Sequence, residues 1–183
     1  AGGQNAVSAM VYGAGPVGLM HARLLKHYGV EKVGVADVSE YRLSLALGMG
    51  ADFVFDPTKP ETRERALKNF PAGPELVVIA TASMAALEEG LGVVGRAGTV
   101  LLFGAPRRGA SAQLDAARLF LNGTRLVTSY GAYETETAEA MKLLAHGKVR
   151  VSDMITHRFP LEQAGDAFTI ASQQRAMKAL VLD

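Results

Sequence analysis

Short uninterrupted runs of apolar residues alternate along the chain with longer segments whose apolar positions recur at helical spacing. The short runs are typical of strands buried on both faces of a sheet, and the amphipathic segments are typical of helices that cover such a sheet. Six strands are predicted at 7–12, 32–36, 51–55, 76–80, 99–103 and 125–129. Helices are predicted at 16–28, 39–47, 59–70, 83–94, 114–121 and 134–146.

This alternation predicts an α/β fold of the Rossmann type, a doubly wound six-stranded parallel sheet with the strand order 3-2-1-4-5-6. The last stretch has a different pattern, with a strand at 154–159, a helix at 161–172 and a strand at 179–182, which need not join that sheet. We therefore expect a dinucleotide-binding domain over residues 1–150 and a separate C-terminal segment over residues 151–183.

A glycine-rich turn follows the first predicted strand and opens the first predicted helix. It reads Gly13-Ala14-Gly15-Pro16-Val17-Gly18 and matches the pattern G-x-G-x-x-G. In this context Gly13 permits the tight turn, Gly15 allows close approach of a pyrophosphate, and Gly18 lets the helix pack on the strand. Pro16 suits the first helical position, and the helix N-terminus offers free N–H groups to an anion.

An acidic residue follows the second strand. Asp37 lies 19 residues after Gly18, where a carboxylate accepts hydrogen bonds from the adenosine ribose. A carboxylate there repels a 2′-phosphate, and the next residues, Val38 and Ser39, supply no cation to offset that repulsion. The sequence therefore predicts NAD rather than NADP as the cofactor.

The same glycine pattern occurs a second time, at Gly90-Leu91-Gly92-Val93-Val94-Gly95. Here a predicted helix precedes the glycines and a strand follows them, the reverse of the dinucleotide arrangement. We interpret this second match as the end of a helix and a turn, without a cofactor role.

Composition narrows the class of protein further. The chain has 183 residues, 49% of them hydrophobic and 20% charged, with a formal net charge of +1, which gives no electrostatic reason to expect a nucleic acid or a membrane as partner. It has no cysteine, so a thiolate zinc site is excluded, and none of its four histidines has metal-ligand spacing. We expect no metal site and no catalytic residue in this chain, and a cytoplasmic location.

Four stretches resemble a known family: VYGAGPVGLM (11–20), VADVSEYRLSLALGMGAD (35–52), ALEEGLGVVGRAGTVLLFG (86–104) and ITHRFPLEQAGDAF (155–168). They are similar to the cofactor-binding half of medium-chain, zinc-type alcohol and polyol dehydrogenases such as sorbitol dehydrogenase. The resemblance implies that residues from about 151 onward pack on a catalytic domain that this chain lacks, so we expect the chain to be a segment of a longer enzyme.

The resemblance also assigns site residues by position. It implies that Arg42 lies over the adenine, that Lys178 reaches the cofactor phosphates, and that segments after the later strands line the nicotinamide. The family usually has a Thr-Gly pair after the fourth strand, whereas this chain has Thr81 and Ala82. The complete set of candidate cofactor-binding residues is Gly13, Gly15, Pro16, Val17, Gly18, Asp37, Val38, Arg42, Thr81, Gly104, Ala105, Tyr130 and Lys178.

The resemblance implies an NAD-dependent oxidoreductase in which this domain positions the nicotinamide for hydride transfer from a zinc-bound alcohol or polyol. Zinc would be held only by the complete enzyme, and we expect this chain alone to be inactive. We also expect a homo-oligomer, a dimer or tetramer, with the sixth strand as a plausible pairing edge. Two alternatives stay open: a non-catalytic NAD-binding module, and a zinc-independent quinone reductase of the same superfamily, which Asp37 disfavours because such an enzyme should prefer NADPH.

Overall fold

A computed structural model describes residues 6–183 and divides the chain into two compact units, Ala1–Gly131 and Ala132–Asp183. The first unit contains a six-stranded parallel sheet in the order β3-β2-β1-β4-β5-β6, which confirms the predicted fold class. Its strands are β1 (Ser8–Tyr12), β2 (Lys32–Ala36), β3 (Phe53–Phe55), β4 (Leu76–Ile79), β5 (Thr99–Leu102) and β6 (Arg125–Thr128).

Five helices connect these strands: α1 (Pro16–His27), α2 (Glu40–Ala46), α3 (Pro60–Leu67), α4 (Met84–Val93) and α5 (Ala116–Asn122). Capping residues and glycines fix where several of these helices begin and end. The hydroxyls of Ser39 and Ser83 accept hydrogen bonds from backbone N–H groups in the first turns of α2 and α4. Gly29 takes the left-handed conformation just after α1, with φ +86°, so the helix ends where the sequence predicts.

The core lies under the central strands. In β1, β2 and β4 every residue but the first of β1 and of β2 is buried, because helices cover both faces of a parallel sheet. The strands are in a register that pairs Tyr12 with both Ala36 and Ile79, and Ile79 with Leu102. The residues that follow these strands therefore lie side by side at the carboxyl edge of the sheet.

Burial falls away toward the sixth strand. No residue of β6 or of α5 is buried, and Phe120 and Leu121 at the end of α5 are 86% and 71% exposed. The outer edge of β6 has no partner strand among the described residues. This side of the unit presents both an open sheet edge and an apolar surface.

The second unit contains α6 (Glu134–Ala145), β7 (Ile155–Pro160), α7 (Ala164–Ser172) and β8 (Lys178–Leu182). β7 and β8 form a parallel pair separate from the large sheet, as the sequence predicts. The spacing of Ala140, Met141 and Leu144 in the sequence predicts that they form the inner face of α6, and this prediction is wrong: all three are exposed, Met141 by 62%. Among the described residues of its own unit, no helix or strand covers that face of α6.

The division between the units falls after Gly131, whereas the sequence places the functional boundary at residue 150. The contacts within the chain define the first boundary and the resemblance defines the second, so the boundary at 150 stays a prediction. Across residues 6–183, none of the helices has the length and apolar character needed to cross a membrane.

Candidate functional site

The turn between β1 and α1 depends on two glycines for its shape. Gly13 has φ +104°, a conformation that side chains disfavour, and a Cβ there would lie 3.0 Å from the carbonyl oxygen of Ala80. A Cβ on Gly18 would overlap the carbonyl oxygen of Gly13. The sequence explains Gly18 by helix–strand packing; the structure shows that the nearest obstacle is the turn itself.

Gly15 differs from its two neighbours in the motif. It is the N-cap of α1 with an ordinary extended backbone, φ −72° and ψ 178°, and the nearest protein atom to a Cβ there is Nη1 of Arg42, at 3.9 Å. The fold therefore does not require a glycine at this position. The open space beside Gly15 is what a ligand needs to approach the main chain closely.

The N-terminus of α1 faces the same space. Pro16 occupies the first turn, Gly15 provides no side-chain cap, and the first turn contains no acidic residue. The N–H groups of Val17 and Gly18 belong to the turn in which a helix leaves its donors without intrahelical acceptors. Val17 is 38% exposed, so this end of the helix is accessible to an anion.

Asp37 holds the glycine-rich turn as well as facing the predicted ribose position. Its Oδ2 accepts a hydrogen bond from the N–H of Ala14 at 2.7 Å, and its Oδ1 accepts one from the N–H of Ser39 at 2.8 Å. A carboxylate has about four acceptor positions, so both oxygens keep capacity for ligand hydroxyls. The sequence gives no sign of this second role, because it depends on a contact across 23 residues.

Arg42 extends toward the same turn from α2. Its backbone N–H donates to the hydroxyl of Ser39, and its Nη1 lies beside Gly15 as described above. The Nε of Arg42 is buried and has no hydrogen-bond partner among the described residues. Val38, by contrast, is 62% exposed and carries no charge toward the turn.

The segments that follow β4 and β5 lie at the same carboxyl edge of the sheet, and Ala80, after β4, contacts the glycine-rich turn at Gly13. The N–H of Ala80 donates to the carbonyl oxygen of Tyr12 at 2.8 Å, and the N–H of Gly104 donates to that of Ile79, also at 2.8 Å. A Cβ on Gly104 would overlap the backbone of Thr81, so these two segments touch through main-chain atoms. Thr81 and Gly104 are therefore brought together as the sequence predicts.

Three further predicted residues are less constrained by the structure. Ala105 is exposed beyond Gly104, and Tyr130, just after β6, is 99% exposed. Lys178 begins β8 and is exposed in the second unit. Their roles toward a cofactor stay predictions.

One residue at this edge was not selected from the sequence. His21 lies on α1, and its ring meets that of Phe103 edge to face, with ring centroids 4.6 Å apart and an interplanar angle of 79°. Burial lowers the pKa of His21 below its ordinary value of 6.5, which favours the neutral imidazole. No local sequence signal identifies this pair, since its partners are 82 residues apart.

A metal ion needs several donor side chains close to one another. Across the described part of the chain, no three His, Asp or Glu side chains come close enough together to hold a metal ion. Together with the absence of cysteine from the sequence, this means that the described residues do not fit a zinc site.

Known proteins are similar to this chain in sequence. The family model described as zinc-binding dehydrogenase matches residues 16–146. Sorbitol dehydrogenase of Ovis aries is 30% identical over 177 residues, which are 94% of this chain and 49% of that protein. L-threonine 3-dehydrogenase of Saccharopolyspora erythraea is 29% identical over 173 residues, covering 94% of this chain and 50% of that protein. The chain thus spans about half the length of the curated relatives it matches.

Solved structures share the fold. An alcohol dehydrogenase from Thermus sp. ATN1 has a TM-score of 0.91 at 24% identity, covering 100% of this chain and 53% of that one. An E. coli CFT073 alcohol dehydrogenase complexed with NADH has a TM-score of 0.86 at 23% identity, covering 96% and 52%. A Sinorhizobium meliloti zinc-binding dehydrogenase bound to NADP has a TM-score of 0.88 at 20% identity, covering 97% and 52%.

At these identities the solved structures show the fold alone, whereas the family model covers most of the chain. The match covers residues 16–146, from the start of α1 to just past the end of α6. The chain therefore belongs to the zinc-binding dehydrogenase family and carries its Rossmann-type cofactor-binding domain.

Proposed function

We propose that this chain is the NAD-binding half of a zinc-dependent alcohol or polyol dehydrogenase. The observation that carries the proposal is the meeting of three features at the carboxyl ends of β1 and β2. These are the open side of Gly15, the N-terminus of α1, and the Asp37 carboxylate that bonds to Ala14. They lie where the strand order reverses between β1 and β4, the position at which doubly wound sheets bind ligands.

The proposed binding mode follows from the donors and acceptors present. The backbone N–H groups at the start of α1 would hold the pyrophosphate, and the partial positive charge of the helix end would favour it. The remaining lone pairs of Asp37 would accept hydrogen bonds from both ribose hydroxyls. A 2′-phosphate would bring further negative charge against that carboxylate, so the chain should prefer NAD to NADP.

The ends of β4 and β5 would hold the nicotinamide. Gly104 and Thr81 meet through their main chains, and the exposed residues Ala105 and Tyr130 follow β5 and β6 in the sequence. When bound, the nicotinamide would accept a hydride from the substrate alcohol. The contribution of this chain would be to orient the ring and exclude other geometries, which is a positioning effect.

The substrate and zinc chemistry would belong to the remainder of the longer enzyme. The relatives are about twice as long as this chain, and its described residues do not fit a metal site. We expect the chain alone to turn over no alcohol. The exposed edge of β6 and the apolar end of α5 support assembly into a homo-oligomer through that side.

The proposal is tested by calorimetric titration of the chain with NAD and with NADP. We expect NAD to bind more tightly, and Asp37→Ser combined with Val38→Arg to move the preference toward NADP. Asp37→Asn serves as the charge control, because it removes the charge and keeps one carbonyl acceptor, enough for the N–H of either Ala14 or Ser39 but not for both. If neither dinucleotide binds to the folded chain, the proposed cofactor role is wrong for this chain in isolation.

A further inference from the structure

An ion-paired lysine lies on the loop that follows β3, and this loop neighbours the one that carries Asp37. The N–H of Asp37 donates to the carbonyl oxygen of Phe55 at 3.2 Å, so the loops after β2 and β3 are direct neighbours. Lys59 stands on the second of these loops, three residues beyond Asp56, and its side chain returns to the start of α2. A cation is therefore present at this corner, although Val38 and Ser39 provide none.

Two carboxylates hold that cation. The Nζ of Lys59 lies 3.0 Å from Oε1 of Glu40 and 3.7 Å from Oδ2 of Asp56. Asp56 is itself fixed, because its Oδ1 accepts hydrogen bonds from the backbone N–H and the hydroxyl of Thr58, at 2.9 and 2.6 Å. Asp56 is only 8% exposed, whereas the Glu40 side chain is 83% exposed. Glu40 is thus the exposed partner and Asp56 the buried, hydrogen-bonded one.

We infer that Glu40 is a second determinant of cofactor specificity, which withholds Lys59 from the 2′-phosphate of NADP. This inference rests on the proposed function and refines it. A 2′-phosphate projecting from the ribose toward the loops after β2 and β3 would meet Asp37 first, and Lys59 is the basic side chain already bridging those loops. While Glu40 and Asp56 neutralise Lys59, it cannot offset the repulsion from Asp37.

The strength of the Glu40–Lys59 pair limits the expected effect. Exposed ion pairs contribute little and Asp56 stays 3.7 Å from Lys59, so freeing Lys59 from Glu40 should change affinity only several-fold. We expect Glu40→Gln to strengthen NADP binding by about three- to five-fold, with NAD binding unchanged. The gain should shrink as salt is added, because the new contact is exposed to solvent.

Calorimetric titration with NAD and NADP tests this in four forms of the chain: wild type, Glu40→Gln, Glu40→Gln with Lys59→Met, and Glu64→Gln. Glu64 is the matched control, since it pairs with Lys68 along the exposed side of α3 and its substitution removes the same charge. The inference predicts a gain for NADP in Glu40→Gln, no gain in Glu64→Gln, and loss of the gain when Lys59 is also replaced.

Each other result has a definite meaning. If the gain survives the loss of Lys59, the effect comes from the charge of Glu40 alone and the inference about Lys59 is wrong. If the ratio of NAD to NADP affinity is the same in all four forms, Glu40 has no part in specificity, while NAD binding by wild type keeps the proposed function intact. If wild type binds neither dinucleotide, the proposed function fails and this inference fails with it.

Discussion

The chain contains the same glycine pattern twice, and the two copies do different things. At Gly13–Gly18 the glycines form the turn from a strand into a helix, and Gly18 has no room for a Cβ. At Gly90–Gly95 the pattern begins inside α4 and ends in the turn before β5, which confirms that this copy is the end of a helix and a turn. In the second copy a Cβ on Gly92 would meet nothing within 4 Å.

Glycines that look equivalent in the sequence therefore differ in what requires them. Gly18 is required by the turn, Gly90 by close packing of α4 on Val77 and Ile79, and Gly92 by nothing in the protein. Gly15 belongs to a fourth kind, in which the fold leaves open space and only a ligand would use it. The distinction comes from what each missing Cβ would contact, and substitutions can measure it.

The largest effect is expected from Gly18→Ala. The new Cβ would overlap the Gly13 carbonyl, so the turn and α1 must shift, at a cost of about 3 kcal/mol or more. Denaturant unfolding measures the loss. An unchanged midpoint would mean that the turn adapts easily and that Gly18 is no more constrained than Gly92.

The next effect is mainly on binding, from Gly15→Ala. Its surroundings are open, so the free energy of unfolding should fall by no more than about 1 kcal/mol, the cost of alanine in place of glycine at an N-cap. NAD affinity should fall by about ten-fold or more, because the methyl group occupies the side on which the pyrophosphate would approach.

Gly48→Ala is the control for that experiment, since Gly48 is exposed and a Cβ there also meets nothing within 4 Å. It should leave NAD binding as it is and, as for Gly92, should not lower stability, because alanine fits there and reduces the entropy of the unfolded chain. Equal NAD affinity in the Gly15 and Gly48 variants would remove Gly15 from the binding site.

The free energy of unfolding should depend on pH through His21, which lies on α1, the helix that the first glycine motif opens. Burial lowers the pKa of His21, so the unfolded chain binds a proton more readily than the folded protein does. This contribution to stability is constant above the ordinary pKa of 6.5 and is lost as the pH falls below it. Unfolding at pH 7.5 and 5.5 should therefore show a smaller pH dependence in His21→Gln than in wild type. An identical dependence in both proteins would contradict the burial of His21.

The smallest effect, and one of opposite sign, is expected from Gly92→Ala. Gly92 lies in the last turn of α4, is exposed and has space for a methyl group. Alanine lowers the entropy of the unfolded chain and favours the helix, so stability should rise by about 0.5 kcal/mol. Thermal unfolding detects such a shift, and any destabilisation would show that the second motif is more constrained than its geometry indicates.

The sequence predicted the fold well where the spacing of apolar residues agrees with the positions of turn and helix-capping residues. The apolar runs ending at Tyr12, Ala36 and Ile79 are strands with their ends in register, and Ser39 and Ser83 cap the helices that they were expected to begin. The prediction failed at α6, whose amphipathic pattern indicates that a face is covered but cannot indicate by what. In its own unit that face is exposed.

By itself, then, the sequence determined the secondary structure, the strand order and the position of the glycine-rich turn. These follow from short-range patterns and from general rules for connecting parallel strands. The tertiary structure alone decided that Asp37 also holds Ala14, that His21 meets Phe103, and that Glu40 and Asp56 both hold Lys59. Most of these contacts join residues far apart in the sequence and depend on distances of a few ångströms, which a linear pattern does not encode.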